Sequence, residues 1–332
     1  MSAMGIFAGG FRAAVHAAVA AFSCGLLGLP AQAQTPAYPA QDVHVIVGFA
    51  PGSGPDITAR FMAERLQRRS GKPFLVENKP GAVGNIATEY VARARPDGYT
   101  IYITGGSALV AGPYLFKNMT IDVTRLETIA TLARAPILMV VGVNSPYRTL
   151  ADLTAAMRAK GDKASYGTAF PTARVLGAIY RQDIGSKAVE VQYRTSADWV
   201  NDLNSGTIDF GFVDSASGIG MANAGRFRVL AITTAERSQA IPDYPTMREA
   251  GGHKIDLMSW WAAFAPAGTP KPIITELNAA MSEIVSTGEA RAFFRATGND
   301  VWTTSPEEAR AFFLKDYKNW AEYVKIAGIE PQ

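Results

Sequence analysis

Cysteine is almost missing from this 332-residue chain: the single Cys24 lies inside an apolar N-terminal run, so the sequence beyond Leu29 has no thiol, no disulfide and no cysteine metal ligand. Histidine is scarce as well, and only His44 and His253 lie beyond that run, far apart and without metal-ligand spacing. Neither charge sign dominates. The 32 Lys and Arg against 29 Asp and Glu leave +3, too small and too scattered a surplus to point to a nucleic-acid or membrane-surface partner. Beyond Leu29 no apolar stretch approaches the roughly 20 residues of a membrane span. There is no repeat of the solenoid kind and no low-complexity tract. A small solute remains the best partner class for a chain of globular composition whose length suggests two domains or one large one.

What is present begins with an export signal. Arg12 precedes an apolar run from Ala13 to Leu29, followed by Pro30 and the small-residue triplet Ala31-Gln32-Ala33, which reads as a secretory signal peptide over residues 1–33. Ser23, Gly25 and Gly28 interrupt the run and argue against a spanning helix, and Ala21-Phe22-Ser23 does not fit lipid attachment at Cys24. The expected product is a soluble, exported protein, periplasmic in a cell with two membranes.

Val43 to Phe49 is nearly all apolar, as in a strand covered on both faces, and Pro51-Gly-Ser-Gly-Pro-Asp56 follows at once. A helix should then place Ile57, Phe61, Met62 and Leu66 on one face before Gly71 stops it. Strand Phe74–Glu77, a helix near Asn85–Arg95 and strand Thr100–Thr104 continue an alternation that predicts a parallel sheet with helices on both faces. Two adjacent apolar segments, Ile129–Leu132 and Ile137–Val143, precede a second alternating series through about Thr233, and Trp260–Ala265 leads to three C-terminal helices. Two similar halves are the simplest account.

The most informative segment is the glycine-rich turn after the first strand. At a helix N-terminus it would present backbone N–H groups and the positive end of the dipole to an oxyanion, although it equally suits a tight turn in which Asp56 merely caps the helix. It has neither the Walker nor the G-x-G-x-x-G spacing, so nucleotide binding has no support. Gly105-Gly-Ser107 and Thr168-Ala-Phe-Pro-Thr172 are further polar turns at strand ends, where open α/β sheets bind ligands. No nucleophile and base can be paired, Trp260-Trp261 reads as core, and Asp56 and Asp214 read as structural rather than as a catalytic pair. Arg174 and Arg194 are candidate ligand contacts.

Six blocks then carry a resemblance: Val45–Arg60 with its P-G-S-G-P-D turn, Val76-Glu-Asn-Lys-Pro-Gly81, Gly84-Asn-Ile86, Pro96-Asp-Gly-Tyr-Thr100, Pro242-Asp-Tyr-Pro-Thr246 with Glu249-Ala-Gly251, and Ala265-Pro-Ala-Gly-Thr-Pro270. In this order they resemble the Bug family, the extracytoplasmic solute receptors of tripartite tricarboxylate transporters. The resemblance implies an α/β, two-lobe type II periplasmic-binding-protein fold with a ligand cleft between the lobes, lobe one being 34–135 with 258–332 and lobe two 136–257. It implies a monomeric receptor that binds a small-molecule carboxylate and delivers it transiently to membrane transporter subunits, without catalysis, cofactor, metal or nucleic acid. A ligand-loaded partner of a signalling ectodomain is the alternative, and a periplasmic hydrolase a third.

Carried over by residue, the ligand-binding positions are Phe49, Ala50, Pro51, Gly52, Ser53, Gly54 and Asp56 at the first turn and Gly106 and Ser107 at the third strand. In lobe two they are Thr168, Ala169, Phe170, Thr172 and Arg174, with Asp214. Ser53 replaces the family's second glycine, and Phe170 and Pro171 replace flexible glycines. With Phe49 and Tyr166 nearby, these rings point to an aromatic or otherwise apolar-bodied carboxylate, with Arg174 available to a second carboxylate, in preference to citrate.

Overall fold

Val43–Val47, the apolar run after the N-terminal segment, forms strand β1 inside a six-stranded sheet. The computed structural model describes residues 38–117 and 121–331 apart from the side chains of Val83, Ser107 and Ala108; the expected signal peptide and Cys24 lie outside the described residues. After β1 come α1 (Gly54–Ser70), β2 (Phe74–Asn78), α2 (Asn85–Ala92), β3 (Thr100–Gly105), α3 (Gly106–Leu115) and β4 (Glu127–Ala135). The chain then enters a second sheet through β5 (Ile137–Gly142), α4 (Leu150–Lys160), β6 (Ser165–Thr168), α5 (Pro171–Asp183), β7 (Val189–Gln192) and α6 (Val200–Ser205). That sheet is completed by β8 (Phe210–Asp214), α7 (Ser215–Asn223) and β9 (Phe227–Ile232), and α8 (Met247–Gly251) follows. The return is β10 (Ser259–Ala265), with α9 (Lys271–Val285), α10 (Gly288–Ala296), β11 (Asp300–Val301) and α11 (Pro306–Ala327).

The two sheets share one plan. Their orders are β11-β4-β10-β3-β1-β2 and β7-β6-β8-β5-β9. In each, three strands linked through helices are parallel: β1 with β2 and β3, β6 with β7 and β8. The fourth runs the other way, β10 against β3 and β4, β5 against β8 and β9. The sheets are therefore mixed where the alternation predicts purely parallel ones. Parallel neighbours need a crossover that carries the chain back to the same edge, and β5 and β10 arrive directly from the other lobe without one. Because Ala135 ends β4 and Ile137 begins β5, one residue separates the sheets at the first crossing.

Helix α1 buries Phe61, Met62 and Leu66, as its spacing predicts. Helices α3 and α7 are missing from the sequence reading because their composition is poor in helix formers: α3 holds two glycines and an internal Pro113, and α7 two glycines and two serines. From Tyr38 onward the chain is one compact unit, tied behind the cleft by α11, which packs on α3 and β4 and also on α5 of the second lobe. Phe313 and Trp320 of α11 share an apolar cluster with Tyr166 and Tyr180.

Candidate ligand-binding cleft

The strand ends and helix starts of both lobes meet around a cavity of about 340 Å³, within the range of small-molecule sites. Lobe one contributes Phe49 to Ser53, Pro55, Gly105 and Trp261; lobe two contributes Ala169, Phe170, Arg194, Asp214, Ser217 and Arg226. Four helices, α1, α3, α5 and α7, begin there, so the positive ends of their dipoles converge on the space. Three of these ends are already partly muted: Pro55 and Pro171 leave α1 and α5 each without one N–H, and Asp214 caps α7 by accepting from the Ser217 N–H at 2.9 Å.

The first turn owes its shape to Asp56. This carboxylate, 2% exposed, accepts from the Gly52 N–H (2.8 Å), from the Asn78 amide (2.8 Å) and from Arg60 (3.1 Å). It braces the turn from behind and does not line the cavity. Gly52 has φ +81°, a left-handed conformation that glycine adopts without strain. Ser53 is the N-cap of α1, yet its hydroxyl makes no capping bond and is buried without a hydrogen-bond partner among the described residues. The indole N–H of Trp261, a side chain 3% exposed in the same cavity, is also buried and unpartnered. Leaving such donors unmatched costs about 1–3 kcal/mol each.

Several sequence assignments move. Gly54 does not line the cavity: a Cβ there would overlap Asp214 Oδ1 and come within 2.9 Å of the Trp261 ring, so glycine permits close approach of the lobes. Gly106 likewise makes room for Trp260, whose ring a Cβ would overlap, and its neighbour Gly105 passes Trp261, its direct partner across β3 and β10. The two indoles alternate across the strand. Trp260 is core and donates to Asp316 at 2.8 Å, and Trp261, equally buried and packed in the apolar cluster of lobe one, also borders the cavity, so the reading of both as core holds. Thr168 donates to Glu190 at 2.7 Å, and Arg174, 12% exposed, pairs with the same Glu190 at 3.1 Å. Neither lines the cavity, and the charge of Arg174 is already paired with Glu190. Thr172 Oγ1 is buried in the first turn of α5, away from the lining. Tyr166, expected beside the cleft, is 1% exposed and stacks on Phe210 in the lobe-two core, its phenol pushed up to about 12 by burial. Ser107 lies in the first turn of α3, and its side chain falls outside the described residues.

Phe49, Ala50, Pro51, Gly52, Ser53, Ala169, Phe170 and Asp214 do come together around the cavity. Missed from sequence are Trp261, Ser217, Met221 and Arg226, whose positions depend on how the two sheets face each other; the glycines at 105 and 106 were the one signal that an indole had to pass. Arg194, raised in the sequence beside Arg174, is the cation that reaches the cavity, and Arg226 is the second. Neither guanidinium has an acidic partner among the described residues. Asp214, the one carboxylate in the lining, is 6% exposed, its pKa raised by burial, and it is engaged by the Ser217 N–H and hydroxyl. Among the described residues no group of three or more potential metal ligands occurs, and no helix is long and apolar enough to cross a membrane.

This arrangement agrees with the comparisons. The profile of the family described as "Tripartite tricarboxylate transporter family receptor" matches residues 58–329. The chain belongs to this family. A UPF0065 protein of Bordetella bronchiseptica is 32% identical over 91% of this chain and 89% of its own length, and BugT of Bordetella pertussis 28% over 91% and 94%. Among solved structures, the periplasmic binding protein BugD superposes with a TM-score of 0.82 at 29% identity, over 89% of this chain and all of BugD. An R. palustris protein solved with adipate gives 0.85 at 29%, with the same coverage. The Bug resemblance and the two-lobe binding-protein fold are thereby borne out, and the chain is a solute receptor of a family of binding proteins that work with tripartite transporters.

Proposed function

We propose that this receptor captures an organic carboxylate with an apolar or aromatic body, in the periplasm, and hands it as a monomer to the membrane subunits of a tripartite tricarboxylate transporter. The signal peptide would direct export and be cleaved after Ala33, and the lobes would divide at residues 34–135 with 258–332 and 136–257. The observation that carries the ligand class is the pair of buried, unpartnered donors, Ser53 Oγ and Trp261 Nε1, at the N-terminal end of α1 in a cavity whose only carboxylate is already engaged. An oxyanion satisfies both donors and gains from the helix dipole. Phe49, Phe170, Trp261 and Met221 supply apolar walls for the ligand body. The relative solved with adipate, a dicarboxylate, supports the same class.

A thermal-shift panel of carboxylates, neutral sugars and organic cations tests the reading. Stabilisation by carboxylates alone is expected; a shift produced only by a sugar or a cation would overturn it.

A further inference from the structure

Besides the two covalent crossings, between β4 and β5 and ahead of β10, a polar tie joins the two sheets from outside the cleft. The turn Gly298–Asp300, between α10 and β11 of the first sheet, sits on the start of α7 and on the loop after β9 of the second. Ser215, fully buried in the first turn of α7, donates its hydroxyl to the amide oxygen of Asn299 at 2.9 Å, and Asn299 is itself buried. Asp300 accepts from the Ser238 hydroxyl at 3.1 Å on one carboxylate oxygen and from the Ala240 N–H at 3.0 Å on the other. Gly298, with φ +69°, brings the turn so close that a Cβ there would overlap Ile219 and lie 3.1 Å from the Ser215 Cβ.

This tie reaches the cleft through one helical turn. Ser215 follows Asp214 and precedes Ser217, both of which line the cavity, and Ala216 between them joins the apolar cluster of lobe one. The tie differs in kind from the one made by α11. Apolar burial is non-directional and tolerates sliding, whereas a hydrogen bond to a carboxylate is directional and is lost once donor and acceptor part beyond about 3.5 Å.

We propose that Asn299 and Asp300 form a latch outside the cleft: their bonds to lobe two hold only while α1 and α7 meet, and they keep that closed arrangement populated before ligand arrives. Asp300 is thereby a positioning residue for binding, since apparent affinity falls in proportion to the fraction of receptor in the competent arrangement. The latch goes beyond the carboxylate reading and does not depend on which acid is bound.

Spin labels at Ile86→Cys of lobe one and Asn201→Cys of lobe two, both exposed positions, read the interlobe distance by pulsed electron resonance, because the sequence beyond Leu29 has no thiol of its own. Without ligand, the protein with wild-type Asp300 should show a short-distance population that shrinks in Asp300→Ala and returns at saturating benzene-1,4-dicarboxylate. Calorimetric affinity for that acid should fall about 10- to 150-fold in Asp300→Ala, the range of a charge-assisted hydrogen bond, and less in Asp300→Asn, which keeps one acceptor oxygen. Melting curves verify that both variants fold. A lowered melting temperature with affinity and ligand-free distances unchanged would make the turn an ordinary structural tie and overturn the latch, as would the absence of a short-distance population in the ligand-free protein with wild-type Asp300. Failure of every carboxylate to bind wild type would overturn the functional reading instead, and the ligand-free distances would still decide the latch.

Discussion

Gly54→Ala is the substitution that most sharply tests how the lobes meet. A Cβ at this position would overlap Asp214 Oδ1 and lie 2.9 and 3.1 Å from two carbons of the Trp261 ring. Neither neighbour yields easily: Asp214 is held by the Ser217 N–H at 2.9 Å and hydroxyl at 2.6 Å, and Trp261 lies in β10 against Gly105. Alanine is a good residue at the start of a helix, so α1 and lobe one should fold as before. Overpacking of this kind costs about 1–3 kcal/mol. The cost falls on the conformation in which α1 and α7 touch, so it should appear as a loss of ligand affinity of about 5- to 150-fold. Titration calorimetry with the best ligand reads that loss, and a melting curve verifies the fold. A well-folded Gly54→Ala protein with wild-type affinity would refute the reasoning, because it would mean that the two helix starts do not meet when ligand is bound.

Three further outcomes are expected. Trp261→Phe removes an unpartnered indole N–H while keeping the ring, so carboxylate affinity should fall about 2- to 12-fold with ligand-free stability held or raised; unchanged affinity would mean that the N–H does not meet the ligand. Burial raises the Asp214 pKa, so the folded protein binds this proton more tightly than the unfolded chain, and the contribution to stability falls as pH rises from about 4 through the folded-state value. The melting temperature of Asp214→Asn relative to wild type should therefore improve as pH rises from about 4 to neutrality, and a pH-independent difference would contradict it. Glu190→Ala strips Arg174 and Thr168 of their acceptor and should cost about 1–3 kcal/mol with ligand affinity unchanged; a strong change in affinity at constant stability would return Arg174 to the cleft.

The sequence was legible where periodicity and composition carry the information. Val43–Val47 and the series from Leu150 to Gln192 read as strands and helices because their apolar spacing is regular. Helices α3 and α7 were not legible, since glycine, serine and an internal proline mask segments that tertiary packing makes helical. At the site, local sequence identified the turn at Gly52 and Ser53 but misassigned Gly54 and Gly106, because a glycine kept for close packing looks the same in sequence as one kept for a ligand. Arg174 and Arg194 illustrate the same limit. Both are arginines near strand ends of lobe two, and only the parallel pairing of β6 with β7, which sets Thr168 and Arg174 near Glu190, decides that one is neutralised and the other free.

The central claim, that the buried donors of the cleft cavity await an oxyanion, is tested most directly by titrating wild-type protein with one ligand in two charge states: benzene-1,4-dicarboxylate and its uncharged diamide, nearly identical in shape. The account predicts that the acid binds and, at 100 times its dissociation constant, stabilises the fold by about 2.7 kcal/mol, while the diamide gives no measurable heat or shift. Binding of the diamide as tight as that of the acid would contradict it.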